Sequence, residues 1–322
     1  MSFTRLRTWL AAAALVVGAG TAHAYSSLVV FGDSLSDGGN VAALVGTDPA
    51  QVISGNGYVP SRPYASGTFS NGPTWVDGLA AALGVSAGPS LGGGTNYAFG
   101  GAQTRDQSGG SPSLLTQVGL YLGDTGGSVA EGTLVVLAGG GNNARAALED
   151  IGFEGAPPLR TVAATALRYA FDVGQMVDRL QAAGATDIIV WNTPDLSLAP
   201  AVASLGAEAS FLAGVIGDAM NRALARRLEG EAGVRIFDLF GLVGAVVADP
   251  AAYGLTNAVD ACGAPSNFCD PATALFWDGI HPTVAGQAII AEAMLAVAVP
   301  EPGTWALFAA GGAVLLLRRR RA

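Results

Sequence analysis

Leu28-Val-Val-Phe-Gly-Asp-Ser-Leu-Ser-Asp-Gly-Gly-Asn40 is a short apolar run that breaks into glycine, aspartate and serine. Consecutive apolar residues with no polar alternation, Leu28 to Phe31, predict a strand buried on both faces, which is the habit of parallel sheets. Four more short runs are apolar or β-branched: Asn96 to Phe99, Thr133 to Leu137, Asp187 to Trp191 and Arg235 to Leu239. Helical patterns separate them, clearest at Pro158 to Ala183 and Leu205 to Glu229, with others over Thr74 to Gly84 and Thr283 to Val297. Short strands alternating with helices predict an α/β fold: a three-layer α/β/α sandwich around a doubly wound, parallel, five-stranded sheet.

Within the first long helix Val162, Leu167, Phe171, Met176, Val177 and Leu180 follow helical spacing and form the expected packed face. In the second, Phe211, Val215, Met220 and Leu224 do so, leaving Arg222, Arg226, Arg227 and Glu229 for a solvated face. Long loops are expected over residues 46–72, 101–113 and 248–271. In an open parallel sheet, ligands sit beyond the carboxyl ends of the strands, so the polar segments that follow each apolar run are where chemistry is sought.

The two ends read as processing segments. Arg5 and Arg7, an apolar run from Trp9 to Val17, and Ala22-His23-Ala24 form a secretory signal, with the mature chain expected to begin at Tyr25. At the other end Val299-Pro-Glu-Pro302 precedes an apolar run, Gly303 to Leu317, and four arginines, Arg318 to Arg321. That run is only marginally long enough to span a bilayer, and the arginines would hold its end on the cytoplasmic side. The expected organisation is therefore 1–24 signal, 25–298 one large domain and 299–322 a tail with a transmembrane segment.

Without the two ends the body keeps ten arginines and no lysine against 24 Asp and Glu, a balance near −14. So acidic a body argues against nucleic-acid binding, which needs basic patches against phosphates. Cys262 and Cys269 lie in one turn-rich stretch and suit a loop disulfide in an exported protein; the alternative is two free thiols. One histidine and two cysteines make a poor zinc set, and no metal is expected.

Four segments carry candidate chemistry. Ser34 follows the first strand at a junction that exposes a hydroxyl, although Gly32-Asp-Ser-Leu35 alone marks no more than a turn. His23 leaves with the signal, so His281 is the sole histidine of the mature body, three residues after Asp278 in Phe276-Trp-Asp-Gly-Ile-His-Pro282. That spacing lets Asp278 accept from Nδ1 and leaves Nε2 free as a base. Thr95-Asn-Tyr-Ala-Phe-Gly-Gly-Ala102 is a strand breaking into two glycines, where a backbone N–H can face a site. Leu134-Val-Val-Leu-Ala-Gly-Gly-Gly-Asn-Asn143 ends in an asparagine whose amide can donate to a developing oxyanion. Gly88-Pro-Ser-Leu-Gly92 matches the G-x-S-x-G pattern, but it lacks a preceding strand and a following helix and reads as a loop.

In this order the four blocks resemble the SGNH, or GDSL, hydrolase family, over about Leu28 to Met294. The resemblance implies a flavodoxin-like SGNH fold and a serine esterase or lipase that needs no cofactor. It assigns Ser34 as nucleophile, His281 as base and Asp278 as its acid, with an oxyanion hole from Ser34, Gly101 and Asn142; Gly100 is the alternative to Gly101. One block departs from the family pattern, with Asn143 where Gly-x-Asn-Asp has its aspartate. The tail resembles the PEP-CTERM sorting signal, which implies signal peptidase and an exosortase as processing partners and a place at the cell surface or outside. The expected substrate is a small-molecule, lipid or acylated-glycan ester. A polysaccharide O-deacetylase and a surface or matrix protein that keeps the fold with little turnover are the alternatives.

Overall fold

The computed structural model describes residues 25–299; the expected signal at 1–24 and the tail from 300 onward lie outside them. Tyr25–Leu295 forms one compact unit. Its elements, in chain order, are β1 (Ser27–Gly32), α1 (Asn40–Val45), α2 (Trp75–Leu83), α3 (Leu114–Asp124), β2 (Thr133–Ala138), α4 (Gly141–Gly152) and α5 (Pro158–Ala182). They continue with β3 (Ile188–Trp191), α6 (Pro200–Ala203), α7 (Ala207–Arg227), β4 (Val234–Phe237), α8 (Leu239–Ala248), β5 (Asn257–Ala261), β6 (Ala274–Phe276) and α9 (Val284–Ala298).

The main sheet is parallel, in the order β1-β2-β3-β4. Five strands were expected, and the run Asn96 to Phe99 is reduced to a single parallel bridge between Asn96 and Val30 on the free edge of β1. Its backbone still exchanges hydrogen bonds with β1, Tyr97 N–H to Val30 O at 2.7 Å and Phe99 N–H to Gly32 O at 3.2 Å. The turn at Gly100-Gly101 cuts it short. Counting this segment, the chain steps from β1 to one side and then to β2 on the other. The carboxyl end of β1 is therefore the point where the winding reverses, the place where such sheets open a crevice.

Side chains alternate across the sheet. Val29, Phe31, Val135, Leu137, Ile188 and Val190 pack with residues of α3, α4, α5 and α7, among them Val118, Ala147, Met176 and Ile216. On the other face Trp191 meets Trp75 of α2 at 4.7 Å between ring centroids and donates its Nε1–H to Met294 Sδ of α9 at 3.0 Å. Helices thus cover both faces.

Several packing expectations change. Leu167 and Phe171 are 70% and 58% exposed, and the buried face of α5 is built from Ala166, Tyr169, Ala170, Val173, Met176, Val177 and Leu180. In α7 Met220 and Leu224 are buried whereas Phe211 is 75% exposed. Arg227 is not simply solvated, since it bridges Asp178 and Glu231. Leu239, expected to end a strand, starts α8, because the Asp238 carboxylate accepts from Gly241 N–H and caps a helix there. Residues 248–271 were expected as loop and instead hold β5, which pairs with β6 in a second small parallel sheet. Among the described residues no helix is long and apolar enough to cross a membrane; the run Gly303 to Leu317 lies outside them.

Candidate active site

β1 delivers its end into a tight turn in which Ser36 N–H and Asp37 N–H both donate to Asp33 O at 3.0 Å. Gly32 is required there, since a Cβ would stand 2.7 Å from Ala138 O of β2. Ser34 is buried to 8% exposure and faces a small cleft. The cleft is lined by Asn142, Arg145 and His281 together with Leu35, Leu196 and Ile280.

The last strand and the turn before α9 bring the histidine to this point. Trp277 N–H donates to His281 O at 2.7 Å and closes the turn, while Asp278 Oδ1 accepts from His281 N–H at 2.8 Å and from Ile280 N–H at 2.9 Å. Oδ2 of Asp278 lies 2.7 Å from His281 Nδ1, and Nε2 lies 2.8 Å from Ser34 Oγ. Asp278 is fully buried and His281 is 3% exposed. With Asp278 ionised, Nδ1 carries the hydrogen and Nε2 is left to accept the serine proton.

A fourth residue joins this chain, and no pattern in the sequence marks it. Tyr64, from the long loop 46–72, donates its hydroxyl to Asp278 Oδ2 at 2.7 Å. Burial, and then the charge of Asp278, pushes its phenol well above the ordinary range, so it remains a donor. Phe69 of the same loop lies beside the imidazole, with ring centroids 5.4 Å apart.

The strand break at Gly100-Gly101 is held by the quoted segment itself. Asp37 accepts from Gly39, Asn40 and Val41 N–H groups and also from Gly100 N–H at 2.9 Å. Asn40 Nδ2 donates to Asn96 O and Ala98 O at 2.8 and 2.9 Å. Gly100 N–H is thereby consumed, which removes it as the alternative donor. Gly101, at φ +80°, lies in the left-handed region that favours glycine, and its N–H and that of Ser34 have no acceptor among the described residues. Asn142 opens α4 directly after β2 and donates one amide hydrogen to Ala102 O at 3.0 Å; its second amide hydrogen is uncommitted.

Asn143, the departure from the family pattern, also holds this loop. Its Oδ1 accepts from Thr104 N–H at 3.1 Å and its Nδ2 donates to Thr104 Oγ at 3.0 Å. Thr104 then donates to Asp172, which is buried in α5 and paired with Arg105. The carboxylate of this network is therefore on α5, two hydrogen bonds, through Thr104, from the position at which the family pattern has its acid.

Asp33, 3% exposed beside the same cleft, is pushed up to about 6 by burial, against the backbone N–H of Leu35 and the nearby His281 and Arg145. Away from the cleft the sulfurs of Cys262 and Cys269 are bonded, closing the loop after β5. Ser90, in the G-x-S-x-G look-alike, begins a short 3₁₀ turn and donates towards Asn40 rather than to a histidine.

The family model described as GDSL-like Lipase/Acylhydrolase matches residues 28–294, and the PEP-CTERM protein-sorting motif matches residues 298–321. An uncharacterised protein of the trpE-trpG intergenic region of Pseudomonas putida is 30% identical over 83% of this chain and 48% of its own length. Esterase EstA of Pseudomonas aeruginosa is 29% identical over 83% of this chain and 46% of its own. The phosphatidylcholine-sterol acyltransferase of Aeromonas hydrophila is 28% identical over 77% of this chain and 68% of its own. The chain thus spans about half the length of the two Pseudomonas relatives. A solved extracellular lipase of Streptomyces rimosus is 18% identical, with a TM-score of 0.46, over 83% of this chain and 97% of its own. A family match that runs from the start of β1 into α9 and contains every residue of the Ser34 cleft makes this chain a member of the GDSL lipase/acylhydrolase family.

Proposed function

We propose that the chain is an exported serine esterase that hydrolyses carboxylic esters at Ser34. The observation that carries this reading is the unbroken series Ser34 Oγ, His281 Nε2, His281 Nδ1, Asp278 Oδ2, with each step at 2.7 to 2.8 Å. His281 takes the serine proton as Oγ attacks the ester carbonyl carbon. Asp278, steadied by Tyr64, stabilises the imidazolium that results. The carbonyl oxygen becomes an oxyanion and accepts from Ser34 N–H, Gly101 N–H and the free amide hydrogen of Asn142. The imidazolium returns its proton to the departing alcohol, leaving an acyl-serine, and water activated by His281 then releases the acid. No step calls for a cofactor.

Export is inferred from the A-x-A segment before Tyr25 and from the sorting motif at 298–321, with signal peptidase and an exosortase as processing enzymes. The bonded pair Cys262–Cys269 is in keeping with an oxidising compartment.

Steady-state hydrolysis of p-nitrophenyl butyrate tests the reading. Ser34→Ala is expected to lower kcat by about 10⁴-fold or more while the fold is retained. A folded wild-type chain that hydrolyses no ester would favour a surface or matrix protein instead.

A further inference from the structure

Beside the cleft of Ser34 lies a second, small cavity of about 50 Å³, and its walls are apolar. Leu239, Leu242, Val243 and Val246 of α8 form one side, and Ile289 and Ile290 of α9 form the other. Asp195 is the one charged residue on its lining, and its carboxylate is engaged in capping its own 3₁₀ turn through Ser197 N–H. Leu35, Pro194, Leu196 and Ile280 belong to both the cleft and the cavity. Leu35 directly follows the nucleophile and Ile280 directly precedes His281, so the shared rim is built from the neighbours of the reacting groups.

The helix on the outer side is unusual in composition. α8 reads Leu-Phe-Gly-Leu-Val-Gly-Ala-Val-Val-Ala, with no polar side chain, yet only Leu239 and Val246 are fully buried. Val246, with Leu242 and Val247, belongs to a small cluster with β5, β6 and α9 that is separate from the main core. The cavity is the gap beside that cluster. A helix without a polar face is ordinarily enclosed, and here part of its apolar face lines a gap that reaches the catalytic rim.

We infer that this cavity takes the acyl chain of the substrate, so that the preferred esters are those of short aliphatic acids, with room for about four carbons, rather than acetates. The inference rests on the serine-esterase reading. The carbonyl carbon sits at Ser34, the chain passes over the rim between Leu35 and Ile280, and its methylenes leave water against α8 and α9. Val243, a half-buried residue of the α8 wall, is the position at which a change of side-chain volume alters the space left for the chain. An O-deacetylase would have no use for such a space.

The test is kcat/KM for p-nitrophenyl esters from acetate to dodecanoate, for the wild type, Val243→Phe and Val243→Ala. In the wild type kcat/KM should rise by roughly fourfold per methylene up to an optimum, the effect of burying each in an apolar site. Val243→Phe should move the optimum to shorter chains and Val243→Ala to longer ones. If the bulky variant fails to fold, the alanine variant alone decides. An optimum at acetate, or one that neither variant moves, overturns the acyl cavity and leaves the serine esterase standing. A wild type inert towards every ester rejects the esterase reading itself, and the cavity assignment with it.

Discussion

Ser34 is one serine among many in a glycine-rich chain, and Gly-Asp-Ser by itself describes only a turn. What distinguishes it is that the sole histidine of the body reaches it across 247 residues of chain. Asp33, its neighbour, carries a cost that the fold tolerates. Its carboxyl is raised from 3.8 to about 6 because burial disfavours the charged form. A group that binds its proton more tightly when folded favours the fold below its unfolded value, and that contribution is lost as pH rises through 6. The difference amounts to about 3 kcal/mol of instability above that pH. Asp33→Asn keeps an oxygen for Leu35 N–H and removes the charge. Denaturant unfolding should find it more stable than wild type at pH 8, by an amount that shrinks to nothing near pH 4. The same gain at both pH values would show that charge burial is not the cause.

At the scale of elements, three strand ends and one helix entry converge on the cleft, and each is tied down by a polar side chain from another element. Asp37 pins the break at Gly100, leaving Gly101 free. Asn142 and Asn143 pin the following loop, through Ala102 and Thr104, to the first turn of α4. Because Thr104 passes its hydrogen to Asp172, an amide at 143 is what the network needs: it donates where a carboxylate would only accept. Asn143→Asp, although it restores the family pattern, should therefore destabilise the chain. Two buried carboxylates would then share one hydroxyl hydrogen, a loss of about 1–3 kcal/mol by denaturant unfolding. Adding Asp172→Asn should recover part of that loss, which gives a coupling measurable in a double-mutant cycle. A stabilised Asn143→Asp variant would refute the network.

At the scale of the whole molecule, the fold class and the Asp278–His281 pair are legible in the sequence because both are local in origin. Four runs become the strands of the main sheet: those of β1, β2 and β3 are apolar and buried, since a run without polar alternation has only buried places to go, while β4, with Arg235 in it, stays half-buried. Asp278 and His281 lie three residues apart, so their contact follows from one turn. What is not legible depends on distant partners. The segment Asn96 to Phe99 has the composition of a strand, but an edge place beside β1 and two glycines leave it a single bridge. Leu167 and Phe171 have helical spacing and still point to solvent, because spacing specifies a face and not what covers it. Tyr64 reaches Asp278 from a loop without periodicity, 214 residues away. The cavity between α8 and α9 exists only once two helices far apart in sequence are packed. The central claim, that Ser34 is made nucleophilic by His281 and Asp278, is met most directly by reacting the folded protein with a fluorophosphonate and locating the adduct by peptide mass spectrometry. The predicted result is a single phosphonylated serine, Ser34, whose labelling is lost in His281→Ala. An unlabelled Ser34, or labelling that persists undiminished without His281, would contradict the account.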